Sequence, residues 1–123
     1  MDYVYPDLGC TPWSSIDLDE SEETVRIGAT NVLAIHCINL AATPRYLKFY
    51  DGLIADVVVG TTVPKWRCAI PSSGSTDGGG FTLSIPTGLF FRAGLVVAAT
   101  TGVADSDTGA PGDNEVVVNL AVL

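Results

Sequence analysis

The sequence predicts an all-β fold: a single β-sandwich or jelly-roll-like domain with an extended N-terminal arm. Three observations lead there. Apolar and polar residues alternate at period two in several segments, most clearly Phe81, Leu83 and Ile85 against Thr82 and Ser84. Thirteen glycines and seven prolines, with abundant Val and Thr, favour many short strands over helices. Turn signals recur at short, regular spacing, and no segment holds a helical period. At 123 residues the chain suits one domain with a real core, and 47% apolar composition excludes disorder for most of it.

Charge divides the chain in two. Residues 1–23 carry Asp2, Asp7, Asp17, Asp19, Glu20, Glu22 and Glu23 with no Lys or Arg, so most of the net charge of −8 sits there. Tyr3, Tyr5 and Trp13 are scattered among these acids and among Pro6 and Pro12, without a strict period. This stretch reads as a coil arm that docks through aromatic anchors, and residues 24–123 read as the sandwich. A nearly neutral body with an acidic arm lacks the basic face that phosphate contacts need, so no nucleic-acid partner is expected. The longest apolar runs are broken by Gly, Thr or Arg before membrane-spanning length, and no cationic segment leads an apolar one. Neither a transmembrane helix nor a secretory signal is expected.

The strands follow in order. Glu23–Ile27 is short and ends at Gly28. In Val32–Leu40, Leu33, Ile35 and Cys37 share one face while Ala34, His36, Ile38 and Leu40 share the other, which suits a central strand. Arg45–Tyr50 turns Leu47 and Phe49 inward and puts Tyr46, Lys48 and Tyr50 on the second face, and Asp51-Gly52 is a turn signal. Leu53–Thr62, with its valine run, reads as a further strand. Lys65–Ile70 sets Trp66, Cys68 and Ile70 on one side. Pro71–Gly80 is a flexible loop. Two strands joined by a type I turn at Ile85-Pro86-Thr87-Gly88 fill Gly80–Thr101, with a bend at Gly94. Gly102–Glu115 is polar loop, and Val116–Leu123 closes the chain as a strand.

Chemistry-bearing motifs are weak. Asp107-Thr108-Gly109-Ala110 resembles an aspartic-protease loop, but such a loop needs an apolar strand before its aspartate, and Asp105-Ser106 stand there instead. Asp105, Asp107, Asp113, Asn114 and Glu115 crowd one loop, yet the EF-hand pattern fails, since Gly109 and Val116 fall at ligand positions. Cys10, Cys37 and Cys68 form no C-x-x-C pair, and with a single histidine they define no zinc site. Cys37 and Cys68, in strands, read as buried free thiols in a chain assembled in a reducing cytoplasm. Gly78-Gly79-Gly80 leads into a strand rather than a helix and so forms no phosphate cradle. No catalytic residue, metal or cofactor is expected. Tyr46, Lys48, Tyr50, Trp66 and Arg67, with Arg45, form an aromatic-basic set on neighbouring strands. They read either as ordinary cross-strand pairing or as a face for a sugar or a protein.

With those residues in view, the chain resembles a group of small phage virion structural proteins of the capsid cement or decoration type. The likeness covers residues 30–123. It lies in Asn39 after the Ile35–Ile38 strand, the Arg45-Tyr46-Leu47-Lys48-Phe49-Tyr50-Asp51 block and the strand ending at Pro71. It continues through Gly88-Leu89-Phe90-Phe91-Arg92-Ala93-Gly94-Leu95, Ala104-Asp105-Ser106-Asp107-Thr108 and Val116-Val117-Val118-Asn119-Leu120. The resemblance implies a non-enzymatic protein on the capsid exterior, a homotrimer at local three-fold sites that binds the major capsid protein. Tyr3, Tyr5, Trp13, Tyr46, Lys48, Tyr50, Trp66 and Arg67 are the expected contact residues. The alternative expectation is a carbohydrate- or receptor-binding module of a head or tail fibre that uses Tyr46, Tyr50 and Trp66.

Overall fold

Alternation becomes strand at eight places in the computed structural model, which describes residues 9–123. They are β1 (Thr11–Ser15), β2 (Glu23–Ile27), β3 (Thr30–Asn39), β4 (Arg45–Asp51), β5 (Trp66–Ile70), β6 (Gly79–Phe91), β7 (Gly94–Thr100) and β8 (Val116–Val122). One sheet, here sheet A, runs β1-β8-β3-β6; the other, sheet B, runs β2-β7-β4-β5. All pairings are antiparallel. First pairs with last, second with seventh, third with sixth, fourth with fifth. That is one long hairpin, with its tip between β4 and β5, rolled into two sheets: jelly-roll connectivity. The all-β sandwich expected from period-two patterning is the fold the chain adopts.

The two sheets meet over one core. Val32, Ile35, Cys37, Phe91, Val116, Val118, Leu120 and Val122 from sheet A face Leu47, Phe49, Ile70, Leu95, Val97 and Ala99 from sheet B, all almost fully buried. Phe49 anchors the contact, stacked on Trp66 at 5.6 Å between ring centroids and tilted against Phe91 across the sheets at 6.0 Å. Burying a side chain of this size contributes roughly 2–3 kcal/mol. The buried side chain of Asn39 at one sheet margin is fully bonded. Asn39 donates to the carbonyls of Thr43 and Ile70 and accepts from the Ala41 amide, so it ties β3 to the ends of β4 and β5.

Four expectations change. The arm does not end at residue 23: β1 pairs along β8, and Leu18 lies fully buried in the core, with its amide bonded to Val116 O. The acids obscured this, because Leu18 is a single apolar residue among them, and β1 needs only Trp13 to turn inward. In β3 the register breaks between Val32 and Ala34, so the inward set is Val32, Ile35, Cys37 and Asn39, and Leu33 falls in the bulge. The Ile85–Gly88 turn does not join two strands. It is an excursion within β6, because Ser84 pairs with Ala34 and Leu89 with Val32, leaving residues 85–88 opposite Leu33 alone. Gly88 takes a φ of +81° there, as turn geometry asks. Finally, residues 53–62 form turns and a short 3-10 helix (Ile54–Asp56) rather than a strand. Their valines serve as a lid: Val57 and Val59 pack on Tyr50, Val96 and Ala98, the apolar outer side of sheet B.

At one end of the sandwich a carboxylate staples the turn between β6 and β7. Asp51 accepts from the amides of Arg92 at 3.0 Å and Ala93 at 2.9 Å, and Lys65 approaches it at 3.3 Å. Burial pushes the Asp51 carboxyl up, but these bonds outweigh it and hold the group below its usual range. At the other end Glu115 pairs with Arg45 at 2.8 Å. That bond, with the Gly112 amide, holds it low against burial.

Two predictions follow from this packing. Leu18→Ala lowers unfolding free energy by about 2–4 kcal/mol in chemical denaturation, a cost that a residue in a loose arm would not carry. Both depressed carboxyls contribute stability that is complete above the unfolded carboxylate pKa of about 4 and is lost as pH falls through the lower folded values. Thermal melts between pH 7 and pH 2 therefore show an acid-side loss of Tm, and Asp51→Asn and Glu115→Gln each flatten it.

Candidate functional site

The outer side of sheet B is covered over its centre, while Arg67 and Ala69 on β5 stay exposed. Lys48, Tyr50, Val96, Ala98 and Thr100 project from it, and all are buried. The 52–65 connection covers one part and the 101–115 connection the other, and the two meet where Gly60 lies against Ser106 and Thr108. Lys48 holds the second connection down: its Nζ donates to Ala104 O at 2.7 Å and Asp107 O at 3.4 Å. Burial lowers the Lys48 pKa, and the nearby Asp107 and Asp105 charges oppose that.

This disperses the aromatic-basic set. Lys48 and Tyr50 are sealed beneath loops and touch no outside surface. Burial, with the Asp105 and Glu22 charges, pushes the Tyr50 phenol up, and its hydroxyl has no hydrogen-bond partner. Trp66 points the other way, into the core against Phe49. Arg67 is exposed but held by Asp105 at 2.7 Å, and Tyr46 is half-buried beside them. No open platform of aromatic rings for sugar stacking forms from these residues. Trp13 sits half-buried on β1, packed against the core. Tyr3 and Tyr5 lie outside the described residues.

The acidic loop is occupied with its own structure. Asp107 Oδ1 accepts from the Gly102 and Gly109 amides, Asp105 holds Arg67, and Glu115 holds Arg45. Among the described residues no three His, Cys, Asp or Glu side chains converge to hold a metal. Cys37 and Cys68 are unpaired thiols, pushed by burial up to about 12 and about 11, far from the thiolate form that reacts.

Sheet A has a different outer side: among the described residues, its outward side chains stay exposed or half-buried. On one side of the β3 bulge its outward side chains fall into three rows set by the register, and beyond the bulge Asn31 and the exposed Phe90 form a further outward pair. The first row is Pro12, Ala121, Ala34 and Ser84; the second Ser14, Asn119, His36 and Thr82; the third Val117 and Ile38, ending at Gly80. Every one of them is exposed or half-buried. The four strands contain no Asp, Glu, Lys or Arg, in a chain that carries fourteen acids and six bases. His36 is the one histidine, held at the centre by a 2.8 Å bond between its Nδ1 and Thr82 Oγ1. Beside it lies a shallow hollow of about 190 Å³ lined by Ala34, His36, Thr82, Asn119 and Ala121. Gly80 ends the third row because β3 runs too close for any side chain: a Cβ there would overlap Cys37 O.

The set chosen for its aromatic and basic side chains is not brought together: Lys48 and Tyr50 are buried, Trp66 packs on the core, and Trp13 lies on the other sheet. The signal for sheet A was present as an absence, strand after strand without a charge. Fold and surface together define a jelly-roll sandwich with one loop-clad sheet and one bare, uncharged sheet. Comparison with protein-family models, curated proteins and solved structures finds no match to this chain.

Lys48 as the anchor of the 101–115 connection has a testable consequence. Lys48→Ala frees the loop, and hydrogen exchange at the Thr101 and Gly109 amides rises by about tenfold or more while β3 and β8 amides keep their protection.

Proposed function

We propose that this chain is a phage capsid cement protein, acting by binding rather than by turnover, and that its partners are the major capsid protein and further copies of itself on the shell exterior. The observation that carries this reading is the bare outer side of sheet A. A flat, uncharged, strand-built surface of small residues, Val117 and Ile38 costs little to desolvate and suits contact with another protein. Its backbone is rigid, since both sheets share one core, so little ordering entropy is lost on docking. A second support is the difference between the sheets: the centre of one lies under its own loops, and the other, among the described residues, is left bare. The jelly roll itself decides nothing, because that fold hosts many activities.

Cementing follows from linkage. A protein that binds only the assembled lattice stabilises it in proportion to its occupancy, and several weak contacts to neighbouring subunits add through multivalency. Quantitative mass spectrometry of purified virions tests the reading. It expects hundreds of copies per particle, and shells stripped of the protein release their DNA at lower temperature. Tens of copies confined to one vertex would place the protein in the tail or a fibre and end the cement reading.

A further inference from the structure

We infer that the outer side of sheet A is where two copies of this chain meet, face to face about a two-fold axis running through the row Ser14, Asn119, His36 and Thr82. The charge distribution argues for a second copy as the occupant. Each copy carries −8, so two copies approach best through the surface that holds none of those charges. Among the described residues the acids lie elsewhere: Asp51 at the β6–β7 turn, Asp105 and Asp107 on the 101–115 connection, and Asp17 to Glu23 from the end of β1 into β2.

Relief supports the same arrangement. Rows lie two residues apart on the strands, about 7 Å from one to the next. The first row is small, with Ala121 and Ala34 flooring the hollow, and the third is raised by Val117 and Ile38. A two-fold axis through the middle row exchanges the outer rows. The Val117 and Ile38 ridge of each copy then meets the Ala34 and Ala121 hollow of the other, an isologous contact. His36 and Asn119 face their own counterparts near the axis. Their hydrogen-bonding groups meet polar partners, and no charged group of sheet A faces them.

The patch is modest. Three rows across four strands cover about 400 Å² per copy, against roughly 800 Å² in a stable interface. The free protein is therefore a weak dimer, with a dissociation constant on the order of tens of micromolar. Two-fold pairing is also a different self-contact from the trimer implied by the family resemblance. The inference deepens the cement reading and takes its biological setting from it. Self-association is measured on free protein without any shell, so either can fail alone.

Sedimentation velocity across concentrations up to about 1 mM tests it on the full chain. The expected result is a monomer–dimer equilibrium. Ala34→Arg, which plants a charge in the hollow, weakens that dimer at least about tenfold. Val103→Arg adds the same charge at an exposed site on the 101–115 connection and leaves the dimer intact. Thermal melts of both variants confirm that they are folded. A chain that stays monomeric throughout, forms trimers instead, or dimerises as well with Arg at position 34 overturns the inference.

Discussion

Two four-stranded sheets bury their inner faces against each other, and that single contact constrains the rest of the molecule. Once Phe49, Phe91, Ile35, Leu47 and their neighbours are packed between the layers, period-two geometry dictates which side chains stand outside. The chain then treats the two outsides differently. On sheet B the outward residues include Tyr50, Val96 and Ala98, which need shielding from water, and the long β4–β5 and β7–β8 connections supply it. On sheet A they are Ala, Ser, Thr, Asn, His, a few aliphatics and, beyond the bulge, Phe90, and they stay in contact with solvent. A surface that tolerates water and carries no charge can also give up its water at little cost when another protein arrives.

Rolled-hairpin connectivity explains why chain ends and middle depend on one another. Among the described strands β1 has no partner but β8, so it waits for the last strand, and Leu18 beside it fills the core. Contacts between residues so distant in sequence are slow to form, and the molecule ties its corners locally once they are in place. Asn39 binds three backbone groups at one corner, Asp51 staples the β6–β7 turn, and Lys48 clamps a loop through carbonyl oxygens. Polar residues that look functional in a sequence are here devices for holding connections in place.

Most of the fold was legible in the sequence, and its exceptions share a cause. Alternation found β3, β4, β5 and β8 because buried faces leave a period-two trace, but it divided Gly80–Thr101 at Ile85–Gly88 instead of at Arg92-Ala93, where the chain passes from β6 in one sheet to β7 in the other. It misplaced Val57 and Val59, since an apolar run that covers a sheet from outside has the same composition as a strand within one. It missed β1, where one inward tryptophan and a proline give too short a pattern to read. The bulge at Leu33 was illegible for another reason: it reflects the match between β3 and two distant partners. The candidate surface was harder still. Tyr46, Lys48, Tyr50 and Trp66 attract attention by chemistry, yet Lys48 and Tyr50 are covered by loops whose path no local signal reveals, and Trp66 turns into the core. Ala34, Ala121 and Asn119 attract none, and only the register sets them side by side with His36.

The central claim is that the bare side of sheet A is a protein-docking surface. Hydroxyl-radical footprinting of the dilute free chain and, under the proposed capsid role, of the same chain in purified virions tests it most directly. The account predicts that Ile38, His36 and Val117 lose reactivity in the particle, while at least one of the exposed valines Val58 and Val63, on the loop-clad side, stays as reactive as before. Equal labelling of the sheet A residues in both states, with protection confined to the loops over sheet B, would contradict it.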